Sequence, residues 1–255
     1  MPNPDRKPFN VAEASEQFEH HLEEFRKEVQ GGTQFFYAML AINGLASQNE
    51  FVREKLNDTS LFWNTNIGAL QLAAFVTLGR VFDQKSAYNI DKLVGLAQGN
   101  IGLFSKPALG ERKQKESRNA DEWLDNYLKD AYEPSSDDFR CLRKYVRKYR
   151  RIYQDNYDPI RDRIYAHKEL ARDSDKHVLF ANTRILELEK LFVFLNHVYH
   201  ILWELYINGR APAFRRIPFS IMRMLNQTIP SGRMHTVQET IVTEAREFLY
   251  GACDP

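Results

Sequence analysis

Residues 59–82 are apolar on nearly every face that a helix presents, and no other stretch constrains the fold of this chain so tightly. A helix with one apolar stripe lies on a surface, whereas a helix that is apolar all round needs neighbours on every side. A central helix enclosed by others is therefore expected here. Its most hydrophobic part, residues 67–78, is shorter than the roughly 20 residues of a membrane span and contains Gln71, so it reads as a buried helix of a soluble core.

The remainder is punctuated as helices. Asn10 with Glu13 three residues on is an N-cap signal, and Phe18, Leu22, Phe25 and Val29 form one apolar stripe, which Gly31-Gly32 is expected to end. A second helix over residues 33–42 follows, then a shorter one opened by Ser47 and Glu50. Residues 89–98 predict another short helix, and residues 105–118, with Pro, Gly and crowded charge, an exposed loop. Asn119 is placed to cap a helix bearing Trp123, Tyr127 and Leu128.

Pro134-Ser135-Ser136 announces the next helix, with Asp137 and Asp138 in its first turn. It is expected to run from residue 138 to about 170, with a restart at Asp158-Pro159, where Asp158 serves as cap. A polar loop at 171–178 leads to an apolar helix over 183–208 that Asn208-Gly209 ends. A short helix near 218–226 and a last one capped by Thr236 with Glu239 complete the chain. No alternating strand pattern and no internal repeat occur. The expected fold is all-α: a helical bundle over 1–209 with a helical C-terminal appendage over 210–255.

Net charge is +1, so the chain as a whole is not steered toward nucleic acid or anionic lipid, and any such attraction comes from local clustering. Cys141 and Cys253 form no pair motif, which argues against a disulfide framework and a thiolate metal site. The opening residues MPNPDRKPFN contain no apolar signal core, and a cytoplasmic protein without a membrane partner is expected.

Chemistry concentrates in residues 160–168, Ile-Arg-Asp-Arg-Ile-Tyr-Ala-His-Lys. In an unkinked helix Arg161 and His167 are nearly two turns apart and offset by about 120°, while Arg163 and His167 share a face. A guanidinium grips phosphate oxygens and an imidazole moves protons near neutral pH, a combination suited to phosphodiester chemistry. The spacing alone is weak, because Arg172 and His177 satisfy it too. The flanks add more. Arg161-Asp162, three residues, then Ala166-His167, at the end of a basic helix, resembles the HEPN superfamily. The likeness is nearest to the branch associated with phage abortive infection, where an earlier helix ends much like Gly79-Arg80-Val81-Phe82-Asp83 here.

That resemblance covers residues 60–205 and implies an endoribonuclease that needs neither metal nor cofactor and leaves 2′,3′-cyclic phosphate ends. Its site would form in a homodimer where two copies of the motif meet. Arg161 would hold the scissile phosphate, His167 would handle the 2′-hydroxyl or leaving-group proton, and Asp162 would orient one of them. A toxin or phage-defence role, with an antitoxin or defence-system partner, follows from the same resemblance. Some members carry a modifiable tyrosine two residues after the histidine. Glu169 stands there in this chain, which excludes nucleotidylation at that position.

Arg140, Arg143, Lys144, Arg147, Lys148, Arg150 and Arg151 form a basic run with no acid among them, beside Tyr145, Tyr149 and Tyr153. As a functional element it is a phosphate-binding ridge with rings for stacking, and Arg147, Arg150, Arg151, Arg163 and Lys168 are the candidate RNA contacts. As a structural one it is a solvated face with the tyrosines packed inward. His197 and His200 lack the partners of a metal set, and Arg80 with Asp83 reads as a salt bridge. Against the nuclease stands a non-catalytic helical interaction subunit with a degenerate motif.

Overall fold

A computed structural model of the chain describes residues 11–166, 183–213, 221–226 and 236–251, and every regular element among them is helical. The helices are α1 (Val11–Gln48), α2 (Glu50–Asp58), α3 (Ser60–Phe82), α4 (Ile90–Gly99), α5 (Lys106–Glu116), α6 (Leu124–Asp130) and α7 (Ser136–Asn156). The short α8 (Asp158–Ile160) runs into a π-helical turn (Arg161–Ala166), and α9 (Ile185–Asn208), α10 (Ile221–Asn226) and α11 (Val237–Gly251) follow. The all-α expectation holds.

The chain divides into two compact units, each drawn from three segments: Met1–Arg26, Gln84–Lys148 and His197–Arg215 in the first, Lys27–Asp83, Tyr149–Asn196 and Arg216–Pro255 in the second. The first is organised around buried Phe18, Phe104, Phe139 and Tyr206, whose rings meet edge-on or tilted at 5.0–5.9 Å. Arg112 lies 3.9 Å over the Tyr206 ring and donates to its carbonyl at 2.8 Å, so a charge within the unit has a π face and a hydrogen bond to sit on. Gly209, at φ +56°, ends α9 as expected, and its carbonyl accepts from the Tyr132 amide at 2.6 Å.

In the second unit Phe36 stacks on Phe192 at 5.1 Å and Phe82 on Tyr153 at 5.2 Å, with Tyr37 and Tyr157 fully buried. The capping box at the last helix is present. The Thr236 hydroxyl accepts from the Glu239 amide, and the Glu239 carboxylate accepts from the Thr236 amide at 3.0 Å.

Four local expectations are corrected. Gly31-Gly32 does not end a helix, since α1 runs through both. A Cβ on Gly32 would lie 2.6 Å from Thr77 and 2.8 Å from Phe192, so this glycine permits close packing inside the second unit. Residues 106–116 are helix rather than loop: the Ser105 hydroxyl caps α5 by accepting from Ala108, and Pro107 sits where its missing amide costs nothing. Asn49, not Ser47, caps α2. Asn119 precedes a short 3₁₀ turn and makes no capping bond with its side chain. The Asn10 cap lies outside the described residues.

The largest correction concerns α3. Burial begins only at Ala74, and none of residues 60–73 is buried. Of its most apolar eighteen residues 22% are buried, and by length and composition α3 is long and apolar enough to cross a membrane. The apolar pattern identified surface that avoids water but not the neighbour that covers it.

Candidate functional site

The sequence restart at Asp158-Pro159 is real. Pro159 has no amide to continue α7, yet the break costs one residue, because Tyr157 N–H still donates to the Tyr153 carbonyl at 2.8 Å and Arg161 N–H to the Tyr157 carbonyl at 3.1 Å. The expectation that Asp158 caps α8 is corrected: it is the first helical residue and its carboxylate turns toward Tyr153 and Arg161. It accepts from the Tyr153 hydroxyl at 3.0 Å and pairs with the Arg161 guanidinium at 3.3 Å. Burial, reinforced by Asp158, pushes the Tyr153 phenol far above its ordinary range, so it stays a neutral donor. Tyr157 anchors the restart on α9, donating to the Arg184 carbonyl at 3.1 Å and the Glu187 carboxylate at 3.2 Å.

Arg161 opens the π turn, and its side chain lies across α3 at Gly79. A Cβ there would stand 2.5 Å from Arg161 Cδ and 2.8 Å from Nη1, so only glycine leaves room for the guanidinium. Asp162 accepts from Arg161 Nε at 2.8 Å and also from Nη2. Burial disfavours the charge on Arg161, but Asp162 and Asp158 more than offset it, and its pKa is raised. The two motifs that carried the resemblance, Gly79-Arg80-Val81-Phe82-Asp83 and Arg161-Asp162, therefore meet in space. Arg80 itself faces solvent and pairs with Glu28 at 3.0 Å. Arg163 is exposed. His167, Lys168 and Glu169 lie outside the described residues. Residues 161–166 form a π turn rather than the α-helix that the sequence predicts there.

Along α7 the buried stripe is Phe139, Leu142, Val146, Arg150 and Tyr153, at helical spacing. Arg140, Arg143, Lys144, Arg147, Lys148 and Arg151 are exposed, and Arg140 pairs with Asp137. Arg150 departs from that face. It is 7% exposed, and burial draws its pKa down. The tyrosines divide: Tyr145 is exposed, Tyr149 stacks on Phe194 at 3.9 Å, and Tyr153 is in the core. His197 donates from Nε2 to the Ala213 carbonyl at 2.8 Å, and burial lowers the pKa of both His197 and His200. Among the described residues no group of three His, Cys, Asp or Glu side chains is placed to hold a metal ion.

A helical fold in which an Arg-Asp pair opens a turn against a Gly-Arg-Val-Phe-Asp helix end defines the class: a HEPN-type helical protein. The family model HEPN_AbiU2, described as AbiU2, matches residues 15–222, and the chain belongs to that abortive-infection family. No curated protein and no solved structure matches the chain. Sequence reasoning missed Asp158 and Tyr153 as parts of the arginine's surroundings. A cap signal at Asp158 was visible, but its inward turn depends on Arg161 one helical turn later.

Proposed function

We propose that the chain is an endoribonuclease toxin of abortive infection, acting in the cytoplasm as a homodimer. The observation that carries this reading is Arg161 held flat against Gly79 by Asp162 and Asp158, a cation fixed in orientation on a rigid helix pair. A fixed guanidinium stabilises the charge that develops on a phosphate oxygen without reorganising as the reaction proceeds. In the step proposed, the RNA 2′-oxygen attacks phosphorus, the bond to the 5′-oxygen breaks, and a 2′,3′-cyclic phosphate forms. His167 takes or returns the proton, and the exposed Arg147, Lys148, Arg151 and Arg163 neutralise flanking phosphates. One arginine and one histidine are few groups for two proton transfers, and a second copy of the motif doubles the set.

The test is cleavage of RNA by the purified full-length chain in excess chelator, with end-group analysis. His167→Ala is expected to abolish cleavage with little change in melting temperature. Cleavage of DNA, or strict dependence on magnesium, would sink the mechanism. A non-catalytic interaction subunit is the second reading, and one observation favours it: Nε and Nη2 of Arg161 are already engaged by carboxylates of the same chain. That reading predicts no cleavage by the wild type under any condition tried.

A further inference from the structure

The bare half of α3 carries a surface that the proposed activity does not explain. Between Asp58 and Arg80 the chain has no charged residue, although 27% of the whole chain is charged. Leu61 is 83% exposed, Phe62 62% and Leu72 39%, and a Cβ on Gly68 would meet nothing within 4 Å. Two of its polar side chains are turned back on the helix itself. Thr65 donates its hydroxyl to the Leu61 carbonyl and Asn66 its amide to the Phe62 carbonyl, both at 2.7 Å. Leu61, Thr65, Gly68 and Leu72 fall at i, i+4, i+7 and i+11, and at 100° per residue they lie within about 60° of one another. They form one narrow ridge with a gap at Gly68.

We infer that this ridge of α3 is where a second copy of the same chain docks, with the two α3 helices side by side. The occupant follows from the charge pattern. A surface that meets its own copy across a two-fold axis sets like charge against like charge near that axis, so it does best with none. RNA or a charged protein partner would instead select complementary charge. The direction of the pair follows from Gly79. It is eighteen residues, or five turns, after Leu61 and so returns to about the same azimuth. The ridge runs along one face of α3 directly into the surface on which Arg161 lies.

Parallel helices packed about 8–10 Å apart along Leu61–Leu72, and diverging toward Gly79 where Arg161 covers the same face, would set the two Gly79–Arg161 seats facing each other across the axis. An antiparallel pair centred near Ile67 would hold them about 36 Å apart, at 1.5 Å per residue. The parallel choice rests on the composite site proposed above; the choice of surface does not. Asp158 and Asp162 accompany each Arg161 and offset the repulsion between the two guanidinium groups.

The test uses the full-length chain. Light scattering at low micromolar concentration is expected to give twice the 29.9 kDa chain mass. Leu61→Glu with Leu72→Glu, both at exposed positions, is expected to halve that mass with unchanged helicity. With Cys141 and Cys253 replaced by Ser, Leu61→Cys alone is expected to cross-link to itself, as parallel helices require. A wild-type monomer, a doubly charged variant that stays dimeric, or a wild-type chain that binds phosphatidylcholine vesicles through this ridge would overturn the inference. Cross-linking only between Leu61→Cys and Leu72→Cys chains would overturn the parallel arrangement. A charged variant that is monomeric yet still cuts RNA leaves the interface standing and removes the composite site. A dimer that never cuts RNA leaves the interface standing and removes the nuclease.

Discussion

Replacing Gly79 by alanine separates the stability of α3 from the placement of Arg161. The new Cβ would stand 2.5 Å from Arg161 Cδ and 2.8 Å from Nη1, against an ordinary contact beginning near 3.4 Å, so the arginine side chain has to withdraw by about 1 Å. Because the obstructing atoms belong to a long flexible side chain, the helix backbone need not move. An alanine in a helix interior gains about 1 kcal/mol over glycine. Weakened ion pairs to Asp162 and Asp158, partly open to solvent, cost about 0.5–1 kcal/mol each. The net change in stability is within about 1 kcal/mol of zero, or about 2–4 °C in melting temperature for a chain of this size. Activity should respond differently, since a 1 Å misplacement of a catalytic group costs about 100-fold.

The assay is single-turnover cleavage of a fluorogenic RNA beside thermal unfolding, with Gly31→Ala as control. The nearest atom to a Cβ at Gly31 is Phe35 Cε2 at 4.0 Å, so that variant is expected to gain about 1 kcal/mol and keep its activity. A folded Gly79→Ala variant that cuts RNA at the wild-type rate would refute the idea that Gly79 positions the guanidinium. Equal losses in both variants would point to a general effect on helices.

Gly209→Ala is expected to lower stability by about 1–3 kcal/mol in denaturant titration, because φ is +56° and a Cβ would lie 2.6 Å from Leu109. Glu189 is buried, one carboxylate oxygen accepting from the Ile221 amide at 3.0 Å and the other without a partner among the described residues, and burial raises its pKa. The folded chain thus holds this proton at pH values where the unfolded chain has released it, and stability falls as pH rises through that window. Glu189→Gln keeps an acceptor for Ile221, so its melting temperature relative to wild type should be higher at pH 8 than at pH 4.5; an equal difference at both would remove Glu189 as the source.

Local chemistry was legible in the sequence where the relevant partners are a few residues apart. The Thr236–Glu239 box and the Gly209 stop involve neighbours within one turn, and each is present. Gly32 failed because its reason, the approach of Thr77 and Phe192, lies 45 and 160 residues away. Arg150 was placed on the basic ridge although its spacing from Leu142, Val146 and Tyr153 puts it on the buried stripe, a signal that charge alone obscured. The Arg-Asp motif could be recognised, but not that Gly79 makes room for it or that Asp158 and Tyr153 surround it. The Gly79 contact joins α3 to the start of the π turn, and no periodicity within either segment encodes it, while the inward course of Asp158 follows from the break at Pro159.

The interleaving of segments bears on how the protein is made. Each unit draws on an early segment and on residues after 196 or 215, so no fragment shorter than 1–215 contains the first and none shorter than 27–255 the second. On the ribosome, α1 emerges long before the α9 residues against which it packs, Phe18 on Tyr206 and Phe36 on Phe192, and the loops to be closed exceed a hundred residues. Neither core can close until nearly the whole chain has been synthesised. Under the nuclease reading, a message cut or abandoned midway yields no partly active toxin; harm to the cell begins only with a finished copy.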